Sequence, residues 1–114
     1  MENSISVIIP THGRNNYLIE AINSVINQNN PPLEILVVDD LISKSTEELV
    51  SKIEHSKIKI YYLKNSGNLG ATQSRNIGVN KAKGKYLAFL DDDDTWDKNY
   101  LKKVIETIKE WGGR

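Results

Sequence analysis

Cysteine is absent from this 114-residue chain, which excludes disulfide bonds, zinc–thiolate sites and thiol catalysis. Net charge is absent too, because fifteen Lys and Arg residues balance fifteen Asp and Glu residues. Binding to nucleic acid requires clustered basic residues, so we expect no nucleic-acid partner. No apolar run approaches the roughly 20 residues that span a bilayer, and we expect no transmembrane segment. The N-terminus MENSISVIIP does not resemble a signal peptide, which favours a cytoplasmic protein.

The length and composition are typical of one soluble domain covering residues 1–114, with room for one modest core. Four short apolar segments alternate with four segments of helical pattern. The apolar segments, predicted as strands, are residues 5–10, 33–40, 58–63 and 85–90. The first predicted helix begins near Tyr17 and ends before Pro31. The other three cover residues 43–55, 71–84 and 98–111. This alternation predicts an α/β fold with a Rossmann-like parallel sheet of about four strands.

Capping patterns predict where the helices begin and end. Ser45 or Thr46 is expected near the start of the second helix, and Gly84 is expected to close the third. The segment NSGNLG, residues 65–70, is predicted to form a glycine-containing loop after the third strand.

The residues that follow each predicted strand are the candidates for chemistry, because ligands of such sheets bind outside the carboxyl ends of the strands. These residues are Pro10–Thr11–His12, Asp39–Asp40, Asn65–Gly67 and Asp91–Asp94. Two of the four strand ends therefore bring adjacent acidic residues to the same edge of the sheet.

Four consecutive aspartates, residues 91–94, repel one another and require a compensating interaction. Asp94 or Thr95 could cap the helix that follows. Alternatively, a divalent cation bound by Asp91 and Asp93, or by Asp93 and Asp94, would offset the repulsion and leave coordination positions for phosphate oxygens. Capping explains one or two of these acids but not four, so we favour metal–phosphate binding.

The remaining candidates allow two interpretations each. Asp39 and Asp40 could cap a helix or form a turn, or could accept a ribose hydroxyl or a base N–H. Arg75 could be an ordinary surface arginine, or it could pair with the acids or a phosphate. His12 has no partner motif, and Trp96 is expected to pack in the core. No G-x-G-x-x-G follows the first strand, which disfavours a nicotinamide dehydrogenase.

Three blocks in order resemble the family 2 glycosyltransferases, which have the GT-A fold. The blocks are ISVIIPTHGRNNYLIEAINSVINQ, LEILVVDD and GNLGATQSRNIGVNKAKGKYLAFLDDDDTW. The resemblance implies transfer of a sugar from a nucleotide-diphosphate donor, most often a UDP-sugar, to a glycan or lipid-linked acceptor. It also implies an Mn²⁺ or Mg²⁺ ion and an inverting reaction.

The resemblance assigns roles to individual residues of this chain. It implies that Pro10 and Thr11 line the base-binding edge, and that Asp40, with Asp39 beside it, receives uracil. It further implies a place for Arg75 near the diphosphate and base.

The same resemblance implies that Asp91 and Asp93 form the D-x-D motif, in which Asp92 also belongs to the nucleotide site. Asp93 with Asp94 would approach the ribose and the metal. The segment LISKST, residues 41–46, departs from the G-S-x-D that usually follows VVDD in the family.

The acceptor site and general base of the family follow the D-x-D half of the domain. Glu106 and Glu110 lie on an ordinary helix face, so we predict no catalytic base here. We expect the nucleotide-binding half of a glycosyltransferase, able to form homo-oligomers and to act in the cytoplasm or at the inner face of a membrane.

Two rival interpretations are a non-catalytic nucleotide- and metal-binding fragment, and a phosphotransferase. In the phosphotransferase, Asp91-x-Asp93-x-Thr95 would be a D-x-D-x-T motif with Asp91 as the nucleophile.

Overall fold

A computed structural model describes residues 4–65 and 70–110 of the chain. Four strands alternate with four helices, as the sequence predicts. The elements are β1 (Ile5–Thr11), α1 (Asn15–Ile26), β2 (Glu34–Asp39), α2 (Lys44–Ser51), β3 (Lys59–Lys64), α3 (Gly70–Lys81), β4 (Tyr86–Phe89) and α4 (Tyr100–Glu110). Within these described ranges, no helix is both long enough and apolar enough to cross a membrane.

The strands form one parallel sheet in the order β3-β2-β1-β4. The chain moves outward from β1 to β2 and β3, and then returns to the other side of β1 to form β4. The strand order therefore reverses between β1 and β4, and the crevice outside their carboxyl ends is the expected ligand site of such a sheet.

Both faces of the sheet are covered because the central strands are apolar on both sides. Val7 and Ile9 of β1 pack in one core with residues of α1, α2 and α4. Ile8 points to the opposite face and packs in a second, smaller core, where Ile77 of α3 contacts it. This alternation explains why β1 and β2 contain near-continuous apolar runs, whereas an antiparallel surface sheet would alternate polar and apolar residues.

The second helix is shorter than predicted, ending at Ser51. The prediction that Ser45 or Thr46 caps it is wrong, because Ser43 occupies the N-cap and makes no side-chain capping hydrogen bond. The hydroxyl of Thr46 instead donates to the side chain of Asn15 on α1, at 2.7 Å. Thr46 therefore connects two helices, a role that the local sequence pattern cannot reveal.

Gly84 does not close the third helix, which ends at Lys81. The N–H of Gly84 donates to the hydroxyl of Ser6 at 2.8 Å, and a side chain at this position would collide with β1. Gly84 is therefore required for close approach to the sheet. Most of the loop predicted at 65–70 lies outside the described residues, as does residue 111 of the fourth predicted helix.

Gly78 determines how closely α3 approaches the sheet. A Cβ atom at this position would lie 2.6 Å from Cγ2 of Ile8, which is fully buried in β1. The absence of a side chain lets α3 pack directly on β1, which in turn brings Ser74 and Arg75 to the carboxyl edge of the sheet.

We predict that Gly78→Ala lowers the free energy of unfolding by about 1–2 kcal/mol, because overpacking against Ile8 outweighs the gain of roughly 1 kcal/mol in helix propensity. Urea denaturation followed by circular dichroism measures this. The matched control is Gln73→Ala on the exposed face of the same helix, where we expect a change within about 0.5 kcal/mol. Equal stability of the Gly78→Ala protein and the wild type would contradict the packing argument.

Candidate active site

A cleft of about 300 Å³ lies at the carboxyl edge of the sheet, where the strand order reverses. It is formed by the last residues of β1, by residues that follow β1, β2 and β4, and by the first turns of α3. The lining residues are Pro10, Thr11, His12, Arg14, Asp40, Ala71, Ser74, Arg75, Asp91, Asp92 and Asp93. The cleft thus contains seven of the eight residues predicted to bind nucleotide, all except Asp39.

The end of β1 is joined to the acidic run by one buried hydrogen bond. The hydroxyl of Thr11 donates to Oδ2 of Asp92 at 2.8 Å, and both residues are more than nine-tenths buried. The side chain of Asp92 therefore points under the cleft floor, toward the sheet. This bond explains how one of four adjacent carboxylates is stabilised away from solvent.

The other aspartates of the run point in different directions. Asp91 lies 3.2 Å from the guanidinium group of Arg75, and Asp93 lies 3.1 Å from that of Arg14. Asp94 lies outside the cleft lining, and its carboxylate accepts the backbone N–H of Thr95 at 2.9 Å. Mutual repulsion of the run is therefore reduced by two arginines from distant parts of the chain.

Asp40 lies at the wall of the cleft that is formed by β2. Its carboxylate accepts hydrogen bonds from Asn65 at 3.2 Å and from the N–H of Gly70, the first residue of α3, at 3.3 Å. Nδ1 of His12 lies 3.3 Å away. Asp40 therefore combines helix capping with a place in the cleft, so the two roles considered from sequence are compatible.

Asp39, by contrast, lies outside the cleft lining. It is fully buried, and its carboxylate accepts hydrogen bonds from the backbone N–H groups of Leu41 and Ser43 and from the hydroxyl of Tyr62, at 3.0, 2.8 and 2.6 Å. Burial, together with the hydrogen bond to Asp39, raises the pKa of the Tyr62 phenol above its ordinary value. The contacts of Asp39 are those of a residue that organises the turn after β2.

That turn contains the departure from the family pattern. Ile42 has a φ of 57°, a left-handed conformation that β-branched residues rarely adopt. The two N–H groups that donate to Asp39 lie on either side of Ile42, so the carboxylate compensates for the strain there. The segment LISKST thus keeps a tight turn without the glycine that usually provides it.

Four cleft residues were not among those predicted to bind nucleotide: Arg14, His12, Ala71 and Ser74. Arg14 and His12 lie within three residues of the end of β1, and this proximity is the sequence signal that could have indicated them. Their partners, Asp93 and Asp40, are too distant in the chain for any spacing rule. Ser74 accepts a hydrogen bond from Asn65 at 3.0 Å.

Asn65 supports Asp40 from beneath. Its amide nitrogen donates to both Asp40 and Ser74, while its Oδ1 atom is buried with no partner among the described residues. The two donated bonds connect β2, β3 and α3 behind the cleft wall.

Trp96 packs against the larger core and stacks on Tyr100, with ring centroids 4.5 Å apart. Its backbone N–H donates to the hydroxyl of Ser24 on α1. Gln28, also near the end of α1, accepts the N–H of Leu101 at 2.9 Å. These contacts attach both ends of the segment between the acidic run and α4 to α1, and they agree with a packing role for Trp96.

The charges of the cleft suit a cation that arrives with an anionic ligand. Four carboxylates face two guanidinium groups, so a diphosphate alone would be repelled. Nowhere in residues 4–65 and 70–110 do three or more acidic or histidine side chains converge as metal ligands. Mg²⁺ sites in nucleotide-binding proteins commonly use only one or two carboxylates with phosphate oxygens and water. The hard oxygen donors of Asp91 and Asp93 fit such a shared site.

Comparison with known proteins identifies the family. The model of the family described as "Glycosyl transferase family 2" matches residues 6–112. The chain belongs to glycosyl transferase family 2. The family expected from the three sequence blocks is therefore confirmed.

Relatives in the family are named as glycosyltransferases. The chain is 34% identical over 106 residues to TuaG of Bacillus subtilis, a glycosyltransferase assigned provisionally to teichuronic acid biosynthesis. The match covers 93% of this chain and 42% of TuaG. The chain is also 40% identical over 110 residues to glycosyltransferase RC0461 of Rickettsia conorii, covering 96% of this chain and 18% of that protein. The chain thus spans less than half the length of these relatives.

Two solved structures share the fold. S. aureus TarS 1–349 in complex with UDP-GlcNAc superposes with a TM-score of 0.83 at 32% identity, over 96% of this chain and 32% of TarS. The mannosyltransferase PcManGT from Pyrobaculum calidifontis, determined with GDP-Man and Mn²⁺, gives a TM-score of 0.84 over 95% of this chain and 33% of its own. Its 19% identity supports the fold alone. The predicted GT-A fold is confirmed.

We predict that Thr11→Val lowers the free energy of unfolding by about 1–3 kcal/mol, because it leaves the buried carboxylate of Asp92 without its hydroxyl donor. Thr11→Ser is the matched control, since it retains the hydroxyl and loses only a methyl group, at a cost of about 1 kcal/mol or less. Chemical denaturation of the three proteins at pH 7 measures both effects. If valine were tolerated better than serine, the hydrogen bond would not be the important interaction.

Proposed function

We propose that this chain forms the donor-binding part of a glycosyltransferase that transfers sugar from a UDP-sugar, with Mn²⁺ or Mg²⁺, to an acceptor hydroxyl. The observation that carries the proposal is the cleft at the strand-order reversal, which brings Asp40, Arg75 and the acidic run together. Membership of the family and similarity to TarS, determined with UDP-GlcNAc, support a nucleotide-sugar donor.

The nucleoside would occupy the side of the cleft between β1 and β2. Asp40 lines this side of the cleft, and we expect its carboxylate to accept the N–H of uracil there. Pro10 and Thr11 border this side, and the imidazole of His12 adds a flat surface beside Asp40. Asp39, predicted to bind nucleotide beside Asp40, is assigned here to support of the turn after β2.

The diphosphate would occupy the side between Arg75 and the acidic run. Asp91 and Asp93 would provide the carboxylate ligands of the divalent ion, and Arg75 would contact phosphate oxygens when it leaves Asp91. Asp92 would hold the acidic run in place from beneath the cleft, through its hydrogen bond to Thr11. Asp94, predicted as a further ligand, has its carboxylate engaged by the next residue and is not required by this arrangement.

When bound, the ion would neutralise negative charge that develops on the departing nucleoside diphosphate. Asp40 and Arg75 of this chain would orient the nucleoside and the diphosphate of the donor relative to the ion. The general base and the acceptor site, which give the reaction its expected inverting outcome, are proposed to belong to the part of the relatives that this chain does not match. A glycan or lipid-linked acceptor would bind there.

The rival interpretation, a non-catalytic binding fragment, uses the same cleft. A measurement of sugar transfer or hydrolysis distinguishes it from the proposed enzyme. Metal-dependent binding of UDP without transfer or hydrolysis of the sugar would favour a binding role for this chain alone. The phosphotransferase interpretation would use Asp91 as a nucleophile. Membership of glycosyl transferase family 2 disfavours that interpretation.

The contrasting environments of Asp39 and Asp40 provide a test. We predict that Asp40→Asn weakens UDP binding about ten- to a hundredfold in the presence of Mn²⁺, because hydrogen bonds to charged acceptors contribute about 1.5–3 kcal/mol. Isothermal titration calorimetry measures the affinity, and EDTA is expected to abolish binding.

Asp39→Asn is the matched variant. It places an amide against three hydrogen-bond donors, so we expect the free energy of unfolding to fall by about 2–4 kcal/mol, with less than a threefold change in UDP affinity of the folded protein. Metal-independent UDP binding, or a larger loss of affinity in Asp39→Asn than in Asp40→Asn, would contradict the proposed site.

A further inference from the structure

Arg14 pairs with the acidic run from the opposite side of the cleft. It follows Gly13, whose φ of 71° turns the chain between β1 and α1, and it occupies the N-cap position of α1. Its guanidinium nitrogen Nη1 lies 3.1 Å from Oδ2 of Asp93 and 3.6 Å from Oδ1 of Asp92. The single positive charge of Arg14 therefore lies between two carboxylates.

The two carboxylates differ in what else they contact. Asp92 is buried and is also bound by Thr11, whereas the side chain of Asp93 is 51% exposed to the cleft. Asp93 is the residue on which the proposed metal site depends. Arg14 and the divalent ion would compete for the same carboxylate, because two positive charges held at one carboxylate repel each other.

Arg14 can leave Asp93 at small cost. Its side chain is 53% exposed, and ion pairs with this exposure contribute little to stability. A bound diphosphate would supply new acceptors inside the same cleft, which Arg14 lines. Guanidinium groups bind phosphate oxygens well because their donors match the spacing of the acceptors.

We propose that Arg14 substitutes for the divalent cation at Asp93 in the nucleotide-free cleft, and that it transfers to the diphosphate when metal and nucleotide bind together. Metal alone then binds weakly, and metal with nucleotide binds well. This inference rests on the proposed donor site, but it concerns a residue to which neither the sequence blocks nor the fold assigns a role.

The test uses two affinities that should change in opposite directions. In Arg14→Gln without nucleotide, we expect Mn²⁺ to bind about five- to tenfold more tightly, because a competing charge has been removed from the site. Electron paramagnetic resonance of the free aqueous ion measures this affinity. In the presence of saturating Mn²⁺, UDP is expected to bind about five- to tenfold more weakly to the same variant, measured by calorimetry.

Two matched variants separate this effect from a change in net charge. Lys57→Gln removes one positive charge from the exposed segment just before β3, at the opposite edge of the sheet. It is expected to change either affinity less than twofold because salt screens the distant charge. Arg14→Lys retains the charge and loses the fork of donors. We expect it to bind free Mn²⁺ within about twofold of the wild type and to recover only part of the UDP affinity.

The outcomes distinguish the two proposals. If Mn²⁺ binds Arg14→Gln and the wild type equally while UDP binding stays metal-dependent, the inference about Arg14 is overturned and the donor site remains. The inference is also overturned if Arg14→Gln and Lys57→Gln behave alike. If no variant binds Mn²⁺ with or without UDP, both the inference and the proposed metal site are overturned.

Discussion

The hydrogen bond between Thr11 and Asp92 joins the two strand ends on which the cleft depends. These residues are 81 positions apart in the chain and meet only because β4 returns to pair with β1. The reversal of strand order leaves a crevice at this point, and the bond closes its floor. The bond also fixes the direction of the Asp92 side chain within the acidic run.

The acidic run forms a turn, closed by the N–H of Asp94 donating to the carbonyl of Asp91 at 3.1 Å, and its side chains have different tasks. Asp92 points into the protein and fastens the run, whereas Asp91 and Asp93 point to the cleft and pair with arginines. The same division occurs after β2, where Asp39 supports a turn and Asp40 faces the cleft. At both strand ends, one carboxylate has a structural role and its neighbour lines the cleft.

Much of the fold could be predicted from sequence because the signals are local. Apolar runs of strand length and the helical stripe of α4 identify their elements, and the family blocks indicate the GT-A fold, which the structural comparisons confirm. The roles of Thr46 and Gly84 could not be predicted. They depend on Asn15 and Ser6, which are distant in the chain.

The site was predictable in its location but not in its contacts. Strand ends indicated the cleft, and seven of the eight nucleotide-site residues line it. The sequence could not distinguish Asp39 from Asp40, because the direction of a side chain after a strand depends on where the last paired residue falls. Arg14 was missed because its acidic partner lies 79 residues away. The functional roles of all these residues remain predictions.

The most direct test of a metal-assisted donor site at the carboxyl edge is nuclear magnetic resonance of the ¹⁵N-labelled protein titrated with UDP and Mg²⁺. Amide shift changes are expected at Thr11, Asp40, Arg75 and Asp91–Asp93, only when both UDP and Mg²⁺ are present. The shallow cavity between Ile53 and Ile60, which lies at the start of β3, should remain unchanged. Shift changes confined to that opposite edge, or equal changes without Mg²⁺, would contradict the account.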